Sequence, residues 1–324
     1  MPTNVALRAG TRKKIAESVR FSNNFPYFET MKERLQQFVE LVRLRHWIKN
    51  GFVAVPAIFA GAITAENLMV LGQLFLIFCL LASVVYIFND LMDAPRDRLH
   101  LHKRKRPIAS GHYTPLQAIV VLVVLLAVAA SLLFTQTAAL PYVTAYLLLN
   151  LGYTLFLKYI AIVDVSIIGL GFVLRILAGG AVIAVFVSQW LVTIVFLLAT
   201  ALAFAKRRHD LSMNATNEAY EPRISVYTLP FLDLAITIML SITLLAYIIY
   251  SLSPQAMERL GTDQIYLTSF FVFLGILRYL LLVLNPETSG SPVQLIWRDR
   301  VLQLTILAWC LSFFYLIYFE GNPL

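Results

Sequence analysis

The segment 86–111 reads YIFNDLMDAPRDRLHLHKRKRPIASG and carries the side chains best suited to chemistry. Asp90, Asp93 and Asp97 are spaced i, i+3 and i+7, so a helix that continues past Asp90 places the three carboxylates on one face. Three like charges at such close range repel one another unless a cation neutralises them. Oxygen ligands suit Mg²⁺, which typically bridges carboxylates to the phosphates of a substrate. The spacing therefore predicts a site for Mg²⁺ and a diphosphate.

A basic run follows the acidic residues, at Lys103, Arg104, Lys105 and Arg106. These side chains are suited to hold the phosphate oxygens that a metal leaves free. The alternative is a solvated helix end in which Asp97 pairs with a neighbouring arginine and the basic run serves only membrane topology. We favour the diphosphate site because acidic residues close to a membrane are costly unless they are paired or functional.

The composition predicts a polytopic α-helical membrane protein. Of the 324 residues, 59% are hydrophobic and only 14% are charged, whereas soluble domains are about a quarter charged. Since a helix needs roughly 20 apolar residues to cross a bilayer, we expect about nine spans. The predicted spans are 48–63, 67–89, 116–136, 139–157, 161–185, 188–205, 228–251, 264–284 and 301–319. The first is short, and a half-buried entry helix is the alternative for it.

The positive charges predict the orientation. With these spans, 23 of the 26 Lys and Arg residues fall on one face, which the positive-inside rule assigns to the cytoplasm. We therefore expect a multi-pass plasma-membrane protein with a cytoplasmic N-terminus and active-site cavity and an outward C-terminus. The net charge of +8 is spread over several connections, which argues against nucleic acid as a partner.

Two domains are expected. Residues 1–46 form a basic cytoplasmic leader, and residues 47–324 form the catalytic transmembrane domain. Within the leader, residues 31–45 read MKERLQQFVELVRLR, with apolar side chains on one face, which is typical of an amphipathic helix on the membrane surface.

A second basic cluster lies at the end of the sixth predicted span, where residues 203–211 read AFAKRRHDL. Lys206, Arg207 and Arg208 in this cluster suit a second anionic substrate. Lys49 begins the first span and is either a phosphate ligand or a snorkelling side chain. Arg175 lies in the middle of a span, where a substrate phosphate and an interhelical partner are equally good explanations.

The motif NDLMDAPRD at 89–97 resembles the NDxxDxxxD motif of the UbiA superfamily of intramembrane prenyltransferases. This resemblance implies a nine-helix fold and a Mg²⁺-diphosphate held in a cavity between helices. It makes Asp90, Asp93 and Asp97 the catalytic and metal-binding residues and Asn89 a substrate-binding residue. The family also carries a second Asp-rich motif after the sixth span, and the basic cluster stands in its place here.

In having a basic cluster at this position, the sequence resembles a branch of the superfamily that acts on decaprenyl phosphate. Segments 43–61 (RLRHWIKNGFVAVPAIFAG), 157–180 (LKYIAIVDVSIIGLGFVLRILAGG) and 298–304 (RDRVLQL) share the resemblance, and the last adds Arg298 to the expected substrate-binding residues. The branch transfers 5-phosphoribose from phosphoribosyl diphosphate to a polyprenyl phosphate and releases diphosphate. The implied substrates are these two compounds, the implied cofactor is Mg²⁺, and assembly as a homo-oligomer is left open.

Three other functions compete with this phosphoribosyltransferase. A prenyltransferase with an aromatic acceptor is disfavoured by the missing second Asp-rich motif. A transporter or channel is disfavoured because charges within the spans are sparse and no inverted repeat is evident. A CDP-alcohol phosphotransferase is disfavoured because its characteristic sequence run is not found.

Overall fold

The computed structural model of the protein describes residues 26–99, 103–214, 226–285 and 292–320, which form helices and contain no β-strand. The α-helices are α1 (Pro26–Leu41), α2 (Val55–Phe59), α3 (Ala65–Asp97), α4 (Pro115–Leu133), α5 (Leu140–Leu155), α6 (Val163–Val182), α7 (Gln189–Asn214), α8 (Leu229–Ser251), α9 (Pro254–Leu260), α10 (Ser269–Leu284), α11 (Pro292–Arg298) and α12 (Arg300–Tyr315). Short 3₁₀ turns connect several of them. The predicted all-α helical class is confirmed.

Helix α3 carries the acidic motif because it does not end where the apolar run ends. Thr64 caps its first turn by accepting a hydrogen bond from the Asn67 N–H at 3.2 Å. The helix has 33 residues and is therefore about 50 Å long, well beyond the ~30 Å of a hydrocarbon core. Its last turns carry Asp90, Asp93 and Asp97, and all three side chains are buried.

The predicted nine spans are not all found in the described part of the chain. Among the described residues, seven helical segments are long and apolar enough to cross a membrane, and α12 is a shorter apolar helix of 16 residues. The predicted first span, 48–63, is not one α-helix. It consists of a 3₁₀ helix at Leu44–Ala54, the short helix α2 and a turn. The count of nine is therefore not confirmed, although the multi-pass membrane architecture is.

This first segment nevertheless runs along much of α3. Eleven residues of 3₁₀ helix at about 2 Å each and five of α-helix at about 1.5 Å each cover roughly the thickness of a hydrocarbon core. Arg43, just before the segment, contacts Asp90, and Ala62, just after it, accepts a hydrogen bond from Asn67. The segment thus follows α3 from the level of the acidic motif to the start of the helix.

Close packing of the 3₁₀ helix against α6 depends on a glycine. A Cβ atom placed on Gly179 would lie 1.9 Å from the carbonyl oxygen of Val53, so only glycine fits the contact.

Two apolar clusters hold the bundle together. The first joins α3, α4, α5 and α6 around Phe78 and Tyr146, and the second joins α6, α7, α8 and α10 around Leu232 and Ile236. Helix α6 contributes to both clusters, so it connects the two halves of the molecule. The acidic motif of α3 and the basic end of α7 flank it.

Helix α1 matches part of the predicted amphipathic leader. Met31, Leu35 and Phe38 are exposed, whereas Leu41 is buried against Ile87 of α3. Residues 1–25 of the leader lie outside the described residues, and the division of the chain at residue 46 remains a prediction.

Candidate functional site

The carboxylates of α3 are buried and held by basic side chains from other parts of the chain. Asp90 accepts hydrogen bonds from the guanidinium of Arg43 at 2.5 Å and from that of Arg106 at 3.1 Å. Arg106 also donates to Asp97 at 2.6 Å and therefore bridges the first and last carboxylates of the motif. One of the predicted phosphate-binding residues, Arg106, is thus placed directly at the acidic site.

Asp93 is held from a different direction. The ammonium of Lys158 lies 2.7 Å from Asp93, and both side chains are nearly inaccessible to solvent. The amide nitrogen of Asn89 donates to the second oxygen of Asp93 at 3.1 Å, and its amide oxygen lies 3.5 Å from Lys158. Asn89, which the motif assigns to substrate binding, thus lies against the same carboxylate and the same cation.

Arg43 reaches the site from a strained backbone. Its φ and ψ angles of 52° and 48° lie in the left-handed region, which few residues other than glycine adopt. Its guanidinium also stacks over the ring of Tyr86, 4.6 Å from the centroid. Strain of this kind persists only where surrounding contacts enforce it, and it is concentrated at functional sites.

The acidic motif offers hard oxygen donors of the type that Mg²⁺ prefers, and this cation commonly takes one or two carboxylates and completes its shell with water and substrate phosphates. Among the described residues, no three His, Cys, Asp or Glu side chains are grouped closely enough to hold a metal together. The donor set therefore fits a Mg²⁺ ion shared with a diphosphate rather than a closed cage of protein ligands.

A group of cations lies near the acidic motif. Within the described part of the chain, neither Lys49 nor Lys206 forms a salt bridge. The charges of Lys49, Lys206 and Arg43 act on one another and on His46. Positive charge is therefore concentrated here, where it suits an anion.

Arg207, at the end of α7, belongs to a second buried network. Its Nε donates to Asp164 at 3.0 Å, and its Nη2 lies 3.5 Å from the hydroxyl of Tyr153. The second oxygen of Asp164 accepts a hydrogen bond from the hydroxyl of Tyr227 at 2.7 Å. This network connects Asp164 at the start of α6 and Arg207 near the end of α7 to Tyr227, which lies two residues before α8.

Two further predicted substrate-binding residues, Arg175 and Arg208, have protein partners. Arg175 is buried and donates to Asn50 at 2.8 Å, to the Gly171 carbonyl at 2.7 Å and to the Tyr146 hydroxyl at 3.1 Å. Asn50 and Tyr146 are the interhelical partners that the sequence left open, whereas Gly171 lies on the same helix as Arg175. Arg208 pairs with Asp233 and donates to the Leu284 carbonyl, which joins α7 to α8 and α10.

Of the remaining predicted residues, Arg298 is exposed in the last turn of α11. Lys103 is half-buried and Arg104 is exposed, and both lie in a 3₁₀ turn just before Arg106. The roles predicted for these residues in substrate binding remain predictions.

Sequence reasoning missed several members of the site, namely Arg43, Lys158, Asp164 and Tyr227. Lys158 had a usable signal, because it is an isolated cation in the short connection between two apolar helices, where a charge needs a partner. Arg43, Asp164 and Tyr227 had none, since their partners are 47, 43 and 63 positions away in the sequence.

The sequence and the fold of the chain are similar to those of known proteins. Residues 51–290 match the UbiA prenyltransferase family. A decaprenyl-phosphate phosphoribosyltransferase of Mycolicibacterium smegmatis is 31% identical over 89% of this chain and 95% of its own. A protein of the same name from Mycobacterium tuberculosis is 33% identical over 84% of this chain and 91% of its own.

Solved structures show the same fold. A UbiA homologue from Archaeoglobus fulgidus bound to DMAPP and Mg²⁺ superimposes with a TM-score of 0.65 and 15% sequence identity, over 87% of this chain and 99% of that one. A structure described as digeranylgeranylglyceryl phosphate synthase gives a TM-score of 0.62 and 19% identity, over 87% of this chain and 97% of that one.

Proposed function

Because the chain belongs to the UbiA prenyltransferase family, we propose that it transfers 5-phosphoribose from phosphoribosyl diphosphate to a polyprenyl phosphate such as decaprenyl phosphate. The observation that carries the proposal is the match to phosphoribosyltransferases of that name along 84–89% of the chain. The arrangement of charges supports it, because buried carboxylates suit a metal-bound diphosphate and separate basic groups suit further phosphates.

The donor diphosphate is assigned to the acidic motif. Asp90, Asp93 and Asp97 would supply the one or two carboxylates that hold Mg²⁺, which supplies positive charge to the phosphate oxygens. In the structure, Arg106 and Lys158 neutralise these carboxylates. If a metal neutralised the carboxylates instead, the positive charges of Arg106 and Lys158 would become available to the diphosphate. Binding thus exchanges one set of ion pairs for another and leaves few buried charges unpaired.

The reaction follows from the charge distribution. The bond between C1 of the ribose and the diphosphate oxygen breaks, and its electron pair leaves with the diphosphate, so positive charge develops on the ribose. Arg106, Lys158 and Arg43 stabilise the departing negative charge. An oxygen of the polyprenyl phosphate then forms the new bond to C1. This oxygen is already ionised at neutral pH, so no general base is required, and the residues act by positioning and electrostatics.

Three cations outside the acidic motif, Lys49, Lys206 and Arg207, are assigned to the two monophosphate groups, one on the donor and one on the lipid acceptor. A site of this charge suits two anionic substrates, whereas a prenyltransferase with a neutral aromatic acceptor needs only one diphosphate site. For the same reason the phosphoribosyltransferase is preferred over the aromatic prenyltransferase. In the proposed orientation, the basic end of the bundle and the N-terminus face the cytoplasm and the C-terminus faces outward.

The test uses the purified full-length protein in detergent with decaprenyl phosphate and Mg²⁺. Labelled phosphoribosyl diphosphate should give a labelled lipid, and Asp90→Asn and Asp93→Asn should abolish the product while the protein stays folded. Asp263→Asn, an exposed carboxylate outside the site, should retain wild-type activity.

Two outcomes would contradict the proposal. Transfer from a labelled prenyl diphosphate, dependent on Asp90, with none from phosphoribosyl diphosphate, would favour the prenyltransferase. Normal turnover in Asp90→Asn or Asp93→Asn would remove the assignment of metal and diphosphate to the acidic motif.

A further inference from the structure

A buried tyrosine joins two separate parts of the second network. The hydroxyl of Tyr227 accepts a hydrogen bond from the Ile162 N–H at 2.6 Å and donates one to Asp164 at 2.7 Å. Tyr227 is only 5% exposed, and it precedes α8 by two residues. One hydroxyl group therefore connects the end of the α7–α8 connection to the start of α6.

The backbone at the start of α6 is strained. Ile162 has a φ angle of +69°, a value that is an outlier for a β-branched residue. Its N–H points to the Tyr227 hydroxyl, so the conformation is matched to that contact. The strained residue follows the 3₁₀ turn Leu157–Tyr159, which carries Lys158, the partner of Asp93. Strain of this kind persists where neighbouring groups enforce it.

Asp164 does not serve as a simple helix cap. Its two carboxylate oxygens accept hydrogen bonds from the side chains of Tyr227 and Arg207, and the N-terminus of α6 has no side-chain cap. A carboxylate that is 2% exposed must be neutralised and hydrogen-bonded to remain buried. Asp164 and Arg207 are therefore tied to each other, with Tyr227 fixing the rotamer of the carboxylate.

The pair leaves the outer end of Arg207 largely unoccupied. Asp164 takes the inner Nε, Nη2 has only a 3.5 Å contact with the Tyr153 hydroxyl, and Nη1 has no hydrogen bond to any described residue. A guanidinium held in this side-on manner presents its two terminal nitrogens together, which matches the geometry of two phosphate oxygens.

We infer that Asp164 and Tyr227 are positioning residues that fix Arg207 for contact with a phosphate monoester group. The inference rests on the proposed function, since the anion is the 5-phosphate of the donor or the phosphate of the lipid acceptor. The chemistry of the contact is the same for both, and the kinetics separate them.

The test measures kcat and KM separately for phosphoribosyl diphosphate and for decaprenyl phosphate in wild type, Tyr227→Phe, Arg207→Ala and the double variant. Tyr227→Phe should raise KM for one of the two substrates roughly tenfold, as expected for losing a hydrogen bond to a charged group. In the Arg207→Ala background the same change should add little, because residues that act through one another are not additive.

Tyr247→Phe is the matched control. Tyr247 is also buried, and its hydroxyl also has two hydrogen-bond partners, Thr268 and Trp309. Loss of the Tyr247 hydroxyl should lower stability about as much as loss of the Tyr227 hydroxyl, but it should leave both KM values unchanged. Asp164→Asn keeps the shape of the side chain and should reproduce the KM effect of Tyr227→Phe, so the inference remains testable if one variant folds poorly.

The inference is overturned if Tyr227→Phe and Asp164→Asn leave both KM values at the wild-type level, or if Tyr227→Phe has its full effect in the Arg207→Ala background. Failure of the proposed function is a separate result, because wild-type protein would then give no product from phosphoribosyl diphosphate.

Discussion

Replacing Arg106 with methionine isolates the energetic role of the bridge between Asp90 and Asp97. Asp90 keeps its bond to Arg43, whereas Asp97, which is 5% exposed, loses the basic partner that the structure gives it. Breaking a fully buried ion pair costs about 3–5 kcal/mol. Because the side chain of Arg106 is 27% exposed, we expect a smaller loss of about 2 kcal/mol in the free energy of unfolding.

The assay is denaturant unfolding in detergent micelles, with and without Mg²⁺. If the carboxylates bind the cation, Mg²⁺ should neutralise Asp97 and reduce the difference in free energy of unfolding between Arg106→Met and wild type. Arg278→Met is the control, because it breaks a pair with Asp299 that is more exposed and remote from the acidic motif, and its smaller loss should not respond to Mg²⁺. Equal losses in the two variants, or a Mg²⁺ response in neither, would refute the reasoning.

Two further predictions follow from other contacts. Gly179→Ala should lower the yield of monodisperse protein in gel filtration sharply, because its Cβ would lie 1.9 Å from the Val53 oxygen, whereas Gly72→Ala, with no atom within 4 Å, should be tolerated. Arg175→Lys should cost roughly 2 kcal/mol of stability, because one ammonium cannot reach Asn50, Gly171 and Tyr146 together, and unfolding measurements would show it.

The acidic motif could be predicted because its geometry is local. The spacing of Asp90, Asp93 and Asp97 places them on one face of any helix that includes them, and the structure shows that α3 continues through all three. The long apolar runs predicted nine spans, and seven of the described helices are long and apolar enough to cross a membrane, because hydrocarbon selects for uninterrupted helices.

The partners of those carboxylates could not be predicted, because they depend on how distant helices pack. Lys158 reaches Asp93 across 65 positions, and Arg43 reaches Asp90 across 47. The same reason explains why the sequence did not show that the first segment is mostly a 3₁₀ helix. Its apolar composition resembles that of an α-helix, and only packing against α3 and Gly179 of α6 distinguishes a 3₁₀ helix from it.

The 3₁₀ helix at Leu44–Ala54 has three residues per turn, so side chains three positions apart lie above one another. Trp47, Asn50 and Val53 follow this repeat and make the contacts with Ser83, with Cys79 and Arg175, and with Gly179. Inserting or deleting a single residue would rotate everything beyond it by about a third of a turn. Homologues that keep this packing should therefore align here without gaps, and the length of this stretch should vary less than its composition.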